Sequence, residues 1–257
     1  MSTPARLVLF TALSLALTSA IHAQNTSEQE HVPPDPPASQ LDHAMPYREM
    51  ARMMEMDDRS SVGKVLFDRL EWRDATDGGA FAWNADAWYG NDSDKLWLET
   101  EGERRAGETD SARTELLWNH TLTRWWSLQT GVRHDSASGA SRNWAALGLQ
   151  GLAPGFFDVE ATVYVADQGR AAARIMAERD LFLTQRLILQ PEVELNAYSR
   201  DDPANRIDSG VSDLELGLRL RYEHRRELAT YVGIVWEKRF GSDSSDVQAL
   251  AGLRAWF

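Results

Sequence analysis

The most distinctive chemistry of this sequence lies in a methionine cluster near its N-terminus. Five of the seven methionines fall within residues 43–58, a stretch that contains neither Leu nor Ile. Thioether sulfur is a soft ligand that suits Cu(I), and imidazole binds copper in either oxidation state. The sequence therefore predicts a copper ion site, with Cu(I) favoured over Cu(II). The candidate ligands are His31, His43, Met45, Met50, Met53, Met54 and Met56.

The same methionines also allow a purely structural interpretation. If residues 47–57 are helical, Met50, Met53 and Met54 share one face, which would plug the mouth of the β-barrel predicted below or pack on itself. Met56 widens that face beyond a narrow stripe, and charged residues surround it. Both interpretations stay open on spacing alone.

The segments around this cluster indicate export. Arg6 and the apolar run at 7–17 precede Ala23, which has the small side chain of a signal-peptide cleavage site. The run is too short to span a bilayer core of about 30 Å comfortably. Residues 24–40 contain four prolines and many polar groups, which is typical of an extended linker. We therefore expect a signal peptide at 1–23, a disordered or partly helical Met/His-rich periplasmic arm at 24–61, and a folded domain at 62–257.

Whole-chain composition excludes several classes of function. The formal net charge of -12 argues against a nucleic-acid partner, which requires a basic surface, and is compatible with cationic ligands. The chain has no cysteine, so it has no disulfide, thiolate metal site or cysteine nucleophile.

From about residue 62 onward, apolar and polar residues alternate with a period of two. Residues 157–165, 187–195 and 214–222 show this pattern clearly. The pattern predicts an all-β fold, an antiparallel up-and-down transmembrane β-barrel of about 12 strands, or 10 if two weak strands fail. The predicted strands are 64–72, 80–89, 95–103, 112–122, 126–134, 142–152, 156–166, 170–181, 185–198, 211–223, 228–239 and 247–257.

Connections and aromatic residues favour a membrane barrel over a soluble sandwich. Short connections near 90–94, 123–125, 153–155 and 224–227 alternate with longer ones near 73–79, 103–111, 135–141 and 199–210. Aromatic residues gather near strand ends, as in the interfacial girdles that contact lipid. An even strand number places both termini on the periplasmic side of the cell outer membrane.

The predicted inward face carries many charges of both signs. It fits either a selective cation path or a salt-bridged plug that fills a narrow lumen. The residues are Glu99, Glu101, Arg113, Glu115, Arg133, Asp158, Glu160, Arg174, Glu178, Arg186, Glu192, Glu194, Arg219, Arg221 and Glu237.

The sequence offers little support for an enzyme. It lacks a Gly-x-Ser-x-Gly elbow and a His-Glu-x-x-His zinc motif. A hydrolase would have to use His134 beside Asp135 and Ser136, and a solvated loop explains those residues better. We therefore expect no catalytic residues.

Several strings of the sequence are similar to the copper resistance protein B family. They are MARMMEMDD at 50–58, KVLFDRLEWR at 64–73, and the segments 94–103, 131–135, 150–154, 183–191 and 217–223. The resemblance implies an outer-membrane β-barrel that acts in copper tolerance beside a periplasmic multicopper oxidase. It also implies that the Met/His-rich portion binds copper, although the tandem Met/His repeats of some members are short here.

These observations lead to one functional expectation and one alternative. We expect an outer-membrane copper-resistance protein that binds copper ions through the periplasmic arm and takes part in copper sequestration or transport. The alternative is a structural barrel that anchors a periplasmic partner such as the multicopper oxidase.

Overall fold

The described chain forms a closed antiparallel β-barrel. The computed structural model describes residues 60–75, 78–105, 107–137, 140–205, 207–241 and 244–257, together with Met53. Two short 3-10 helices, Asp167–Gly169 and Pro203–Asn205, lie in connections. Within these ranges, no helix is long and apolar enough to cross a membrane. The strands are β1 (Val62–Ala75), β2 (Gly78–Gly90), β3 (Asp94–Arg105), β4 (Glu108–Thr121), β5 (Trp126–Ala137), β6 (Arg142–Ala153), β7 (Phe157–Ala166), β8 (Arg170–Glu178), β9 (Leu181–Phe182), β10 (Leu187–Tyr198), β11 (Gly210–Arg225), β12 (Leu228–Arg239) and β13 (Ser244–Trp256).

The barrel closes where the first and last strands meet. Strands that follow each other in the sequence pair with each other, except that β8 and β9 both pair with β10, and β1 pairs with β13 to close the sheet. Val62 and Phe257 therefore lie at one end, which we call the terminal rim; the other end is the distal rim. The predicted barrel of 12 strands is confirmed with one extra short strand, and the alternative of 10 is wrong.

The predicted strand 170–181 ends early, at Glu178, and the extra strand β9 begins at Leu181 and extends to Phe182. β8 and β9 both pair with β10, and Arg179 and Asp180 interrupt the ladder between them. Pro191 of β10 lies opposite this break, where it accepts a hydrogen bond from the Arg179 N–H at 3.2 Å. Proline has no N–H to donate, so a regular ladder cannot continue through this point.

Two of the connections predicted to be long contain only two residues each. β1 and β2 are separated by residues 76–77, and β3 and β4 by residues 106–107. Gly107 in the second connection and Gly78 at the start of β2 have φ angles of 87° and 107°, positive values that glycine adopts without steric cost. The predicted long connections at 73–79 and 103–111 are therefore wrong, whereas the connection after β10 is long.

The two faces of the sheet are inverted relative to a water-soluble protein. On the outside, Leu116, Val132 and Leu147 are between 45% and 58% exposed. On the inside, Glu71 and Arg219 are at most 2% exposed. An apolar outer surface around a polar interior is typical of a barrel whose outer solvent is lipid.

Aromatic side chains mark both ends of the apolar outer band. Tyr89, Trp125 and Phe257 are exposed near the terminal rim, and Trp72 and Phe240 near the distal rim. Aromatic rings at these heights would lie at the two interfaces of a bilayer, which fits the predicted girdles.

The packing of β4 against β5 leads to a prediction at Gly131. A methyl group at this position would clash with the backbone carbonyl oxygen of Leu116. We expect Gly131→Ala to destabilise the barrel by about 1 to 3 kcal/mol, because neither backbone can yield without disturbing the ladder. Urea unfolding in lipid vesicles measures this. Gly63→Ala is the matched control, since its nearest backbone neighbour, the Trp88 oxygen, is 3.2 Å away. Equal stability of the two variants would contradict the prediction.

Candidate functional site in the barrel lumen

Most of the predicted copper ligands lie outside the described residues. This applies to His31, His43, Met45, Met50, Met54 and Met56. Met53 is described and is 69% exposed. Among the described residues, no group of three or more His, Asp or Glu is arranged to hold a metal ion. Within the described residues, the candidate functional site is therefore the lumen of the barrel.

One half of the lumen is crossed by a chain of alternating charges. Arg219 donates from Nε and Nη2 to the two carboxylate oxygens of Glu71, at 3.2 Å each. It also donates to Glu192 at 2.6 Å, and Arg69 reaches the other oxygen of Glu192 at 2.7 Å. The bond between Arg69 and Glu192 joins β1 to β10, which β11, β12 and β13 separate in the sheet, so it crosses the lumen. This first group comprises Arg69, Glu71, Arg73, Glu192, Glu215 and Arg219.

A second group of ion pairs fills the other half of the lumen. Arg174 on β8 donates to both oxygens of Glu194, at 2.9 and 2.8 Å, and to Glu101 on β3 at 3.3 Å. β4 to β7 lie between β3 and β8, so the contact with Glu101 also spans the lumen. The second group comprises Glu101, Arg113, Glu115, Glu160, Arg174 and Glu194.

The two groups together form what we call the cross-lumen network. Its central members Glu71, Glu115, Arg174 and Arg219 are buried almost completely. A water-filled pore would leave such groups accessible, so the network fills the lumen at this level. Of the two interpretations left open by the sequence, the geometry here favours the salt-bridged plug.

Beyond the network, the lumen widens toward the distal rim into a cavity of about 710 Å³. We call it the vestibule. Its described lining contains ten acidic and five basic side chains, which gives it a negative balance. The acidic members are Glu71, Glu101, Glu103, Asp110, Asp135, Glu194, Asp208, Asp213, Glu215 and Glu237. Carboxylates facing a confined space raise the local concentration of cations.

The connection between β10 and β11 folds back over the barrel wall beside the vestibule. Asp202 is buried and accepts hydrogen bonds from Arg142 at 3.0 and 3.2 Å and from Asn205 at 3.0 Å. Burial raises the pKa of Asp202, but the hydrogen bonds from Arg142 and Asn205 lower it more, so the pKa lies below its ordinary value. The carboxylate is therefore ionised at neutral pH.

The sequence did not identify Asp202 as a functional residue. Its signal was the dipeptide Asp202-Pro203 within the predicted long connection 199–210, since Asp before Pro favours turn initiation. Its partners Arg142 and Arg170 begin other strands, and nothing in local spacing connects them to this turn.

The structure places the side chains differently from the sequence-based expectation at two sites. Arg186, predicted to face inward, is exposed in the turn before β10, because β10 begins at Leu187. His134 and Asp135 lie on opposite faces of β5: His134 contacts Asn143 at 2.6 Å, whereas Asp135 accepts from Arg133 and Trp144 in the lumen. The pair that a rim hydrolase would use is therefore not formed.

Comparisons with known proteins agree on one family and one fold. The family model described as "Copper resistance protein B precursor (CopB)" matches residues 61–257. "Copper resistance protein B" from Escherichia coli is 46% identical over 203 residues, covering 75% of this chain and 69% of the relative. A "Copper resistance protein B homolog" from Pseudomonas syringae pv. tomato is 42% identical over 234 residues, covering 87% and 79%. The solved structure of the NanC porin aligns with a TM-score of 0.53 at 13% identity, covering 76% of this chain and 99% of that one, which shows the fold alone.

The cross-lumen network leads to a prediction at Glu71. Its carboxylate accepts hydrogen bonds from Arg73, Arg219 and the Tyr231 hydroxyl. We expect Glu71→Ala to destabilise the barrel by about 3 to 5 kcal/mol, because it leaves buried guanidinium groups without a partner. The measurement is the free energy of unfolding in lipid vesicles, followed by tryptophan fluorescence.

Glu227→Ala, in the exposed turn between β11 and β12, is the control for Glu71→Ala. Its stability should stay within about 0.5 kcal/mol of the parent. If Glu71→Ala were as stable as this control, the network would not hold the barrel together.

Proposed function

Because the chain belongs to the copper resistance protein B family, we propose that it confers copper resistance from the outer membrane. In this proposal the Met/His arm binds copper ions in the periplasm, and the protein takes part in copper sequestration or in copper transport across the outer membrane. Copper is here the ion that the protein binds and moves.

The observation that carries the proposal is the family match over residues 61–257, together with two relatives of 42–46% identity. The chemistry of the arm supports it independently. Met45, Met50, Met53, Met54 and Met56 supply thioether sulfur, and His31 and His43 supply imidazole, a ligand set that favours Cu(I).

The lumen supports a role for the barrel beyond anchoring. The acidic vestibule would concentrate cations at the distal rim. The cross-lumen network lies between the vestibule and the terminal rim, so an ion could pass only when pairs such as Arg219–Glu71 rearrange. We therefore propose that passage through the barrel is coupled to a transient rearrangement of these pairs.

The orientation and the partners are parts of the same proposal. Residues 1–23 act as a signal peptide that is removed, and both termini of the mature chain face the periplasm. The apolar outer band contacts outer-membrane lipid. A periplasmic multicopper oxidase is the protein partner that we propose to receive or deliver copper at the terminal rim.

The first experiment tests the arm by Cu(I) titration against a competing chelator. We expect the mature full-length protein to bind tightly, and the variant with Met→Leu at positions 45, 50, 53, 54 and 56 to lose most of this binding. Leucine keeps the apolar volume and removes the sulfur, so the comparison separates copper ligation from packing.

Met176→Leu, on β8 within the barrel, is the matched control and should bind like the parent. Retention of binding by the five-fold variant would refute the site in the arm. A pull-down with the multicopper oxidase, with and without copper, then tests docking: capture that is equal without copper would favour a structural anchor.

The acidic vestibule leads to a separate prediction about flux. In vesicles carrying the oriented protein and a copper gradient, Asp208→Asn combined with Asp213→Asn should lower the initial flux about two- to threefold at low salt. The difference should shrink at high salt, because mobile ions screen the vestibule charges. Glu227→Gln at the terminal rim is the control, and an unchanged flux in the vestibule variant would exclude electrostatic attraction there.

A further inference from the structure

Hydrogen bonds within the connection after β10 hold its described residues in a compact conformation. We call residues 199–205 and 207–209 the strap. The Asp202 N–H donates to the carbonyl oxygen of Ile207 at 2.8 Å, and the Ile207 N–H returns a bond to Asp202 at 3.1 Å. The Ser209 N–H donates to the carboxylate of Asp201 at 2.7 Å. These bonds make the strap a compact turn rather than an extended excursion.

The strap is fastened to the barrel wall on the side of β6 and β8. Asp202 receives two hydrogen bonds from Arg142 of β6 and an ion pair from Arg170 of β8 at 3.3 Å. The Asn205 side chain donates to the carbonyl oxygen of Ala140 at 3.0 Å. β10 itself is two full strands away from β6 in the sheet, so these contacts draw the strap sideways along the distal rim.

On its other side the strap reaches the connection between β12 and β13. The Asp208 carboxylate lies so close to Gly241 that a side chain there would clash with it. Pro203, Asn205 and Ile207, together with Asp208, also line the vestibule. The strap therefore lies against two separated parts of the distal rim and forms part of the vestibule wall between them.

The base of the strap is packed tightly. Tyr198, the last residue of β10, packs on Trp144 with ring centroids 6.3 Å apart, and the Trp144 N–H donates to Asp135 at 2.8 Å. The space left between the strap and the wall is about 20 Å³, roughly the room of one water molecule. Release of the strap would therefore depend on the contacts of Asp202 rather than on loose packing at its base.

We propose that Asp202 is a positioning residue that holds the strap across the distal mouth, so that the vestibule admits small solutes and excludes bulky ones. This inference extends the proposed function, since it assigns the size limit for what reaches the acidic vestibule. The strap acts as a molecular sieve whose fastening is the Asp202–Arg142 contact.

The test uses the absence of cysteine from the chain. Ser111→Cys introduces a single thiol on the exposed, vestibule-lining part of β4. The folded full-length protein in vesicles is labelled with a small cationic methanethiosulfonate or with a bulky polyethylene-glycol maleimide. Because the cross-lumen network fills the lumen below, the bulky reagent must approach from the distal rim.

We expect the parent to react quickly with the small reagent and slowly with the bulky one. Asp202→Asn should raise the bulky-reagent rate about tenfold, the effect of weakening charge-assisted hydrogen bonds on an opening equilibrium. The small-reagent rate should stay nearly constant, which also shows that the vestibule is intact. Asp201→Asn is the matched control and should leave both rates unchanged, because the amide oxygen can still accept the hydrogen bond from the Ser209 N–H.

A double variant tests whether Asp202 acts through Arg142. Arg142→Gln should also raise the bulky-reagent rate, and adding Asp202→Asn should raise it by less than the product of the two single effects, since both changes break the Asp202–Arg142 contact and only Asp202→Asn also weakens the ion pair with Arg170. Fully additive effects, or a bulky-reagent rate in Asp202→Asn equal to that of the parent, would overturn the proposal. The assay contains no copper, so its outcome is independent of the copper titration that tests the proposed function.

Discussion

Arg219 and Glu71 face each other inside the barrel with almost no access to water, and a buried charge without a partner is costly. The remaining architecture depends on satisfying this constraint. The closed sheet satisfies the backbone, the apolar outer band faces lipid, and the cross-lumen network satisfies the charged side chains that the narrow lumen cannot hydrate. Where the lumen widens into the vestibule, acidic side chains outnumber basic ones in the described lining.

The sequence predicted those features that depend on local periodicity. Alternation with a period of two predicted the barrel, its 12 strands and most of the inward charges, because side-chain direction in a strand follows directly from position. It failed where single residues decide the geometry. Gly107, which has a positive φ, lies in a connection of only two residues, and Pro191 interrupts the ladder so that β9 is separate from β8. It did not predict which charges pair, because the partners of Arg69 and Arg174 lie on strands that only barrel closure brings opposite.

Under the proposed function, two kinds of ligand divide the handling of copper. The thioethers of the arm are soft and select the metal by chemistry, whereas the carboxylates of the vestibule are hard and attract cations by charge alone. The arm therefore selects copper among metal ions, and the vestibule of the same chain attracts cations in general. The strap adds a third criterion, size, which neither ligand set supplies.

The seam between β1 and β13 has a consequence for how the protein is assembled. β1 contributes Arg69 and Glu71, whose partners follow 123 to 160 residues later in the chain, and Asp68 pairs with Arg254 186 residues away. A half-inserted sheet would carry these charges unpaired into lipid, so partial barrels are disfavoured until the last strand arrives. Biogenesis of this barrel should consequently be nearly all-or-none, with the C-terminal strand completing both the sheet and the neutralisation of its interior.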